Sequence, residues 1–468
     1  MTTRWFARLS LAGAMAGAAL LLAGRAPAFA RGAAAPAGLT FVVNSSADVD
    51  DANPGDGVCA TAGGVCTLRA AVQEANAHPG ADTIQLQADT TYFPNHTESG
   101  LGFTADLVIS NSLTLLGAGP DSTVIDGSGV VGHRVLYITG TVVISGVTIA
   151  HGSEATNLSW GGGIYNTGEL TLVNTDLVSN TASVLNAWGG AIANDGDLTV
   201  TDSLISGNRA DGDNAHGGGL MNAGGGTLAL VRTTVSDNLT AGQGGGVYGA
   251  TRIVDSTFSG NEASAGGAVE QINSPLVLIN STLSGNSASG SGGGLEAFNG
   301  EADLFNTTVA DNRANANGVS AGVGGGLHNA FGQLKLFDSL VAGNNVVQLV
   351  GHFPRLNPDD CAGAIQAAGF NLIDFIDTSH CAVTGSPLSG DPLLGPLQAN
   401  GGPTLTQALL PGSPAIDAGD PVCTDDLGAP LTADQRGAPR PANGATATRC
   451  DLGAYEAQRL LALPLVLR

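Results

Sequence analysis

Gly161-Gly162-Gly163-Ile164-Tyr165-Asn166-Thr167-Gly168-Glu169-Leu170-Thr171-Leu172-Val173-Asn174-Thr175-Asp176-Leu177-Val178-Ser179-Asn180 contains the unit that most of this chain repeats. A Gly run ends in an apolar residue, an alternating segment follows, and an apolar residue stands three places before an asparagine. That last pair recurs as Leu177/Asn180, Ile205/Asn208, Val235/Asn238, Phe258/Asn261, Leu283/Asn286, Val309/Asn312 and Val341/Asn344, with Ile149/Gly152 as a degenerate copy. Successive copies stand 28, 28, 30, 23, 25, 26 and 32 residues apart. Each step holds a Gly run ending in Ile164, Ile192, Leu220, Val247, Val269, Leu295 or Leu327. A period of this size signals stacked units, none of which buries its apolar face alone.

The unit is β. Leu170-Thr171-Leu172-Val173 and Leu334-Lys335-Leu336-Phe337 alternate, and Gly, Asn and Asp interrupt too often for helices. From the Gly pair to the next asparagine the distance stays within 17 to 21 residues, whereas 4 to 11 residues separate the asparagine (or Gly152) from the next Gly pair. One fixed segment and one variable loop describe a coil of a parallel β-helix. Thr175, Ser203, Thr233, Ser256, Ser281, Thr307 and Ser339 stand five places before the asparagines. Stacked rung upon rung, they predict a hydroxyl ladder beside an amide ladder, both satisfying backbone groups that stacking removes from water. Such columns are structural, because a catalytic site needs only one constellation.

The composition narrows the function. A net charge of −23 with a single lysine, Lys335, argues against nucleic acid and anionic membrane surfaces as partners. Residues 1–30 read as a secretory signal: Arg4 and Arg8, an apolar core from Leu9 to Ala23, and the cleavage pattern Ala28-Phe29-Ala30. Residues 31–40 read as a linker. In 41–86, Phe41-Val42-Val43 predicts a strand, and Thr67 caps a short helix whose Leu68, Ala71, Val72 and Ala75 share one face. A helix with one apolar face fits a lid over the first rung. The run Asp48, Asp50, Asn53 and Asp56 has two readings, a Ca²⁺ site or a solvated Asx-rich turn, and it lacks the EF-hand spacing. The turn is preferred; no other cofactor is implied.

Cys66-Thr67-Leu68-Arg69-Ala70-Ala71, with Val43-Asn44-Ser45 and Pro54-Gly55-Asp56-Gly57 before it and Glu74-Ala75-Asn76-Ala77 after it, resembles the CSLREA domain, with Thr for Ser and Ala for Glu in the hexapeptide. That resemblance implies a secreted bacterial protein in which the domain precedes β-helical repeats. The repeats at 87–345 resemble those of polymorphic outer-membrane proteins, Phe258 keeping the Phe of the FxxN pattern. Within 346–457, Gly369-Phe370-Asn371-Leu372-Ile373, Asp391-Pro392-Leu393-Leu394-Gly395, Asn400-Gly401-Gly402-Pro403-Thr404, Pro411-Gly412-Ser413-Pro414-Ala415-Ile416-Asp417-Ala418-Gly419, Asp434-Gln435-Arg436-Gly437 and Cys450-Asp451-Leu452-Gly453-Ala454-Tyr455-Glu456 occur in that order. This run resembles the choice-of-anchor Q domain, which implies a non-enzymatic module near an anchoring signal. The apolar tail 458–468 is too short and Pro-broken to span a membrane, and no transmembrane span is expected in the mature chain.

Three columns depart from the repeated pattern. One place after the inward apolar residue stand Tyr165, Ala193, Met221, Tyr248, Glu270, Glu296 and His328, which alternation points outward. Glu270 and Glu296 on adjacent rungs match the spacing of paired carboxylates in retaining glycosidases, with Tyr248 and His328 beside them; solvated side chains are the bland alternative. Before the Gly pair stand Trp160, Trp188 and His216, a candidate carbohydrate platform or a cover over Gly-rich backbone. Nine places before the asparagine stand Arg252, Val277, Asp303 and Lys335, so Asp303 and Lys335 are expected to pair across rungs.

Six cysteines in such a chain read as disulfides; proximity favours Cys59–Cys66, Cys361–Cys381 and Cys423–Cys450 among fifteen pairings. The expected fold is an all-β, right-handed single-stranded parallel β-helix, resembling the pectate-lyase type of solenoid, with a small N-terminal helical cap and a loop-rich C-terminal domain. The expected function is a secreted or cell-surface scaffold for adhesion or display, meeting extracellular polysaccharide or another surface component. Two alternatives stand beside it: a polysaccharide lyase or glycosidase using the Glu270/Glu296 column, and a carbohydrate-binding protein using Trp160 and Trp188.

Overall fold

A strand of three to five residues with one apolar side is stable only when its neighbours share the pattern, and here each neighbour is the next copy of the repeat. The computed structural model describes residues 37–95, 106–129, 132–155, 159–212, 214–223, 225–319, 321–351, 353–441 and 449–458. The expected signal segment and cleavage site, the first part of the linker and residues 459–468 of the tail lie outside them.

The strands stack in parallel into a solenoid with three principal faces and a fourth, nine-stranded ladder of short strands that follow the asparagines, such as Thr181–Ser183 and Arg209–Asp211. The first face carries the strands that leave the Gly runs, such as Ile164–Asn166, Ile192–Asn194 and Val269–Ile272. The second carries the alternating segments, such as Glu169–Val173, Pro275–Ile279 and Gln333–Phe337. The third, an 11-stranded ladder, carries the strands before the asparagines, such as Asp176–Val178 and Thr282–Ser284. Eleven rungs at about 4.8 Å give a length of about 50 Å. The register is that of the repeat: Leu177 partners Ile205, Ile205 partners Val235, Val235 partners Phe258, and so on to Val341. These residues, with Ile164, Ile192, Val247, Val269, Leu295 and Leu327, are fully buried and fill the bore.

Both expected ladders form. Asn208 Nδ2 donates to Asn238 Oδ1 at 2.9 Å, Asn261 Nδ2 to Asn286 Oδ1 at 2.8 Å and Asn286 Nδ2 to Asn312 Oδ1 at 2.9 Å. Each amide also donates to a carbonyl of the preceding rung, as Asn286 does to Phe258. The ladder ends on Asp360, whose Oδ1 accepts from Asn344 Nδ2 at 2.8 Å. In the hydroxyl column the Thr175 N–H donates to Ser203 Oγ, Ser256 N–H to Ser281 Oγ and Thr307 N–H to Ser339 Oγ. A second amide ladder, Asn166 to Asn194 to Asn222, closes the turn after the first face with bonds of 2.6 Å.

Parallel pairing extends past the expected 87–345 span on both sides. Thr40–Val42 pairs with Asp82–Gln85, and that strand with Leu113–Leu116, so the cap contributes rungs of its own. Cys361–Ala367 pairs with Gln333–Phe337 and Cys381–Thr384, and Leu372–Ile373 with Leu340–Ala342. The asparagine signature fades after Asn344, but strand alternation and the Asp360 substitute for asparagine carry the stack onward. The helix Leu68–Ala77, capped by Thr67 Oγ1 accepting the Ala70 N–H at 3.1 Å, buries Leu68, Ala71, Val72 and Ala75. Its Asn76 donates to the Val108 carbonyl and accepts the Ser110 N–H, covering backbone groups at the first rungs as a lid should.

The chain from Leu394 onward runs back over the third face. Gln435 Nε2 donates to Thr257 Oγ1 at 2.8 Å, Thr282 Oγ1 donates to Gln435 Oε1 at 2.6 Å, and the Ala454 N–H donates to Thr308 Oγ1 at 3.0 Å. Arg440, 4% exposed, lies 3.3 Å from Glu456 and donates to Asn306 Oδ1. Cys59–Cys66, Cys361–Cys381 and Cys423–Cys450 are the disulfides, as proximity favoured.

Candidate functional site

The column with catalytic residue types keeps its register and loses its exposure. Tyr248 partners Glu270, Glu270 partners Glu296 and Glu296 partners His328. Alternation points all of them away from the bore, and the sequence therefore predicts solvent contact. Instead Glu270 is 0% exposed, Glu296 6% and Tyr248 9%; Ala193 and Met221 earlier in the column are buried too.

The cause is the turn ahead of each strand. Gly266 and Gly292 adopt φ of +60° and +66°, in the left-handed region that glycine enters without steric cost. The backbone there folds back over the strand it introduces. A Cβ on Gly266 would stand 2.7 Å from Glu270 Oε2, and one on Gly292 2.7 Å from the Glu296 Cβ. The column before the Gly pair continues this cover: Trp160, Trp188, His216, Gln243 and Ala265 form parallel bridges rung to rung. The His216 ring lies 4.6 Å from Tyr248, and Trp160 meets Tyr165 edge-on at 5.3 Å.

Burial decides the electrostatics. Among the described residues neither Glu270 oxygen has a hydrogen-bond partner. Burial first, and the adjacent Glu296 carboxylate second, push the Glu270 carboxyl up to about 9, so it is neutral at pH 7. Glu296 Oε1 stands 3.2 Å from His328 Nδ1. Burial, then Glu270, raises the Tyr248 phenol, and burial lowers the His216 imidazole. The group is a neutral acid beside a carboxylate–histidine pair; turn backbone encloses the acid, while His328 keeps partial solvent contact.

The other candidates are placed as follows. Trp160 and Trp188, both half-buried, stack at 5.3 Å with an interplanar angle of 5°, so each covers one face of the other. Asp303 and Lys335 are neighbours in register with 3.5 Å between charges, but Lys335 pairs more closely with Glu301. Arg252 reaches Asp426 of the returning C-terminal chain at 3.0 Å. The acid run near the N terminus is tied to the helix rather than gathered around one point. Asp48 pairs with Arg69 at 2.8 Å, Asp50 accepts from Gln73, Asp56 accepts the Val58 N–H, and the Asn53 N–H donates to Asp51. Among the described residues no three His, Cys, Asp or Glu side chains converge to hold a metal ion. No helix among them is long and apolar enough to cross a membrane.

Sequence reasoning passed over the turns between the first and second faces. Their signal was present: Phe331 follows the strand of one rung where Asn273 and Asn299 follow those of the two before it.

No protein-family model matches this chain, and no curated protein does. Among solved structures, the crystal structure of pectate lyase Pel9A is similar over 91% of this chain and 98% of that one, with 14% sequence identity and a TM-score of 0.43.

Proposed function

We propose that this protein is a non-catalytic β-helical scaffold, secreted or held at a cell surface, that presents its outer faces to extracellular partners. The observation that carries the reading is the enclosure of the Glu270 carboxyl, at 0% exposure under the Gly266 turn. General acid catalysis requires the acid within hydrogen-bond reach of the bond it protonates, and here turn backbone occupies that space. The remaining polar columns are spent on each other in the amide and hydroxyl ladders. Arg209, Arg232, Arg252 and Lys335 are each drawn into an ion pair, and the exposed Arg313 stands on a different ladder from Glu270 and Glu296, so the scattered basic residues give lyase chemistry little support. Three disulfides and the signal-like N-terminal segment support an extracytoplasmic setting. The CSLREA-like and choice-of-anchor-Q-like motifs favour display at a surface.

The test is release of reducing ends and of ultraviolet-absorbing unsaturated products from a panel of polysaccharides, with and without Ca²⁺. The expected result is no release. Release by the native chain that disappears in the Glu270→Gln/Glu296→Gln double variant would place an active site on that column and refute the scaffold reading.

A further inference from the structure

A groove of about 430 Å³ runs along the turns joining the first face to the second, lined by Asn273, Ser274, Asn299, Glu301, Phe331 and Gln333. Across Gly332 and Gln333 it adjoins a second concavity of about 220 Å³ that adds Lys335, Gln366 and Thr384. The two cross five successive rungs, on the order of 20 Å along the solenoid axis.

Phe331 stands out within it. Its φ is +80° and its side chain is 84% exposed. Asn273 and Asn299, at φ of +53° and +59°, hold the equivalent turns of the two preceding rungs, and asparagine tolerates this region. A bulky aromatic there carries backbone strain, and an exposed ring returns nothing to the core. Strain kept with no burial of the ring in return points to a ligand contact. The ring has company: Phe298, 38% exposed, meets Phe331 at 88° with centroids 5.9 Å apart, forming an apolar corner. Around that corner stand the Asn273 and Asn299 amides and the Glu301 carboxylate, held in place by Lys335.

An exposed aromatic face ringed by fixed amide and carboxylate groups suits a sugar, with its apolar C–H face and its hydroxyl edge. Charge selects among sugars. The chain carries −23, so its overall field repels a polyuronate, while Glu301, its charge paired with Lys335, serves as a hydrogen-bond acceptor. We propose that this groove binds an uncharged polysaccharide laid along the solenoid axis, with Phe331 stacking on a sugar ring. The proposal rests on the scaffold reading and names its ligand class.

The test is affinity electrophoresis of the full chain through gels containing xyloglucan, mixed-linkage β-glucan, galactomannan, dextran or polygalacturonate, beside Phe331→Gly. Retardation by at least one neutral polymer and none by polygalacturonate is expected. Phe331→Gly should weaken that binding at least tenfold while unfolding at the same or a higher temperature, since glycine relieves the positive φ. The proposal is overturned by no retardation on any neutral polymer, by retardation on polygalacturonate alone, by undiminished binding of Phe331→Gly, or by a lower unfolding temperature for that variant. Absence of binding with no product release sinks the groove and leaves the scaffold; product release sinks the scaffold reading independently of the groove.

Discussion

Replacing Glu270 by Gln removes one buried titration while nearly preserving shape. In the folded chain this carboxyl is raised from 4.5 to about 9 by burial and then by Glu296. Between those values the folded state holds a proton that the unfolded state has released. The unfolded state therefore binds fewer protons, and stability falls as pH rises, by about 1.4 kcal/mol per pH unit from this group. The contribution is fully present below about 4.5 and lost as pH climbs toward 9. Asp106, Asp255, Asp338 and Asp360 are also raised, but each only to about 6. Over about pH 6.5 to 8.5 the difference between the native protein and Glu270→Gln separates this group from those acids and from the lowered His216 imidazole, and amounts to roughly 3 kcal/mol. With about 2.1 cal/mol/K of unfolding entropy per residue, that is about 3 °C in a chain of this size. Thermal unfolding of the native protein and of Glu270→Gln at both pH values is the assay. The native midpoint should fall by about 3 °C more than that of the variant. Parallel profiles would refute the assignment of a buried neutral acid, and with it the enclosure on which the functional reading rests.

Other expectations follow from the ladders and the returning chain. Asn286→Ala orphans the N–H and Nδ2 of Asn261 and the Phe258 carbonyl, and should cost about 2–4 kcal/mol in urea unfolding; an effect below about 0.5 kcal/mol, typical of a surface site, would show the ladder to be incidental. Gln435→Ala breaks the buried bonds to Thr257 and Thr282. It should loosen the C-terminal chain, read as faster proteolysis after Leu394 at unchanged far-ultraviolet dichroism; an unchanged cleavage rate would mean that the docking rests on other contacts.

Register and fold were legible because stacking repeats one side-chain position at every rung. The asparagine column could be counted along the chain, and so could the pairs Glu270/Glu296 and Asp303/Lys335, since parallel strands with no insertion between fixed landmarks admit only one alignment. The limits were just as physical. Sequence places Glu270 on the outward side of its strand, and the structure agrees; exposure, however, depends on what else lies there. The Gly266 turn folding back over the carboxyl is a consequence of positive φ that residue spacing does not contain.

The sequence by itself determined the solenoid, its rungs and its asparagine and hydroxyl ladders, and favoured one set of disulfide pairs, because each depends on local alternation, on a repeated landmark or on short separation along the chain. Only the tertiary structure decided which outward residues see solvent, that the chain after Leu394 returns over the third face, and that the turns of adjacent rungs open into a groove beside Phe331. Those outcomes depend on contacts between segments far apart in sequence, such as Gln435 on Thr257. No periodicity along the chain records them.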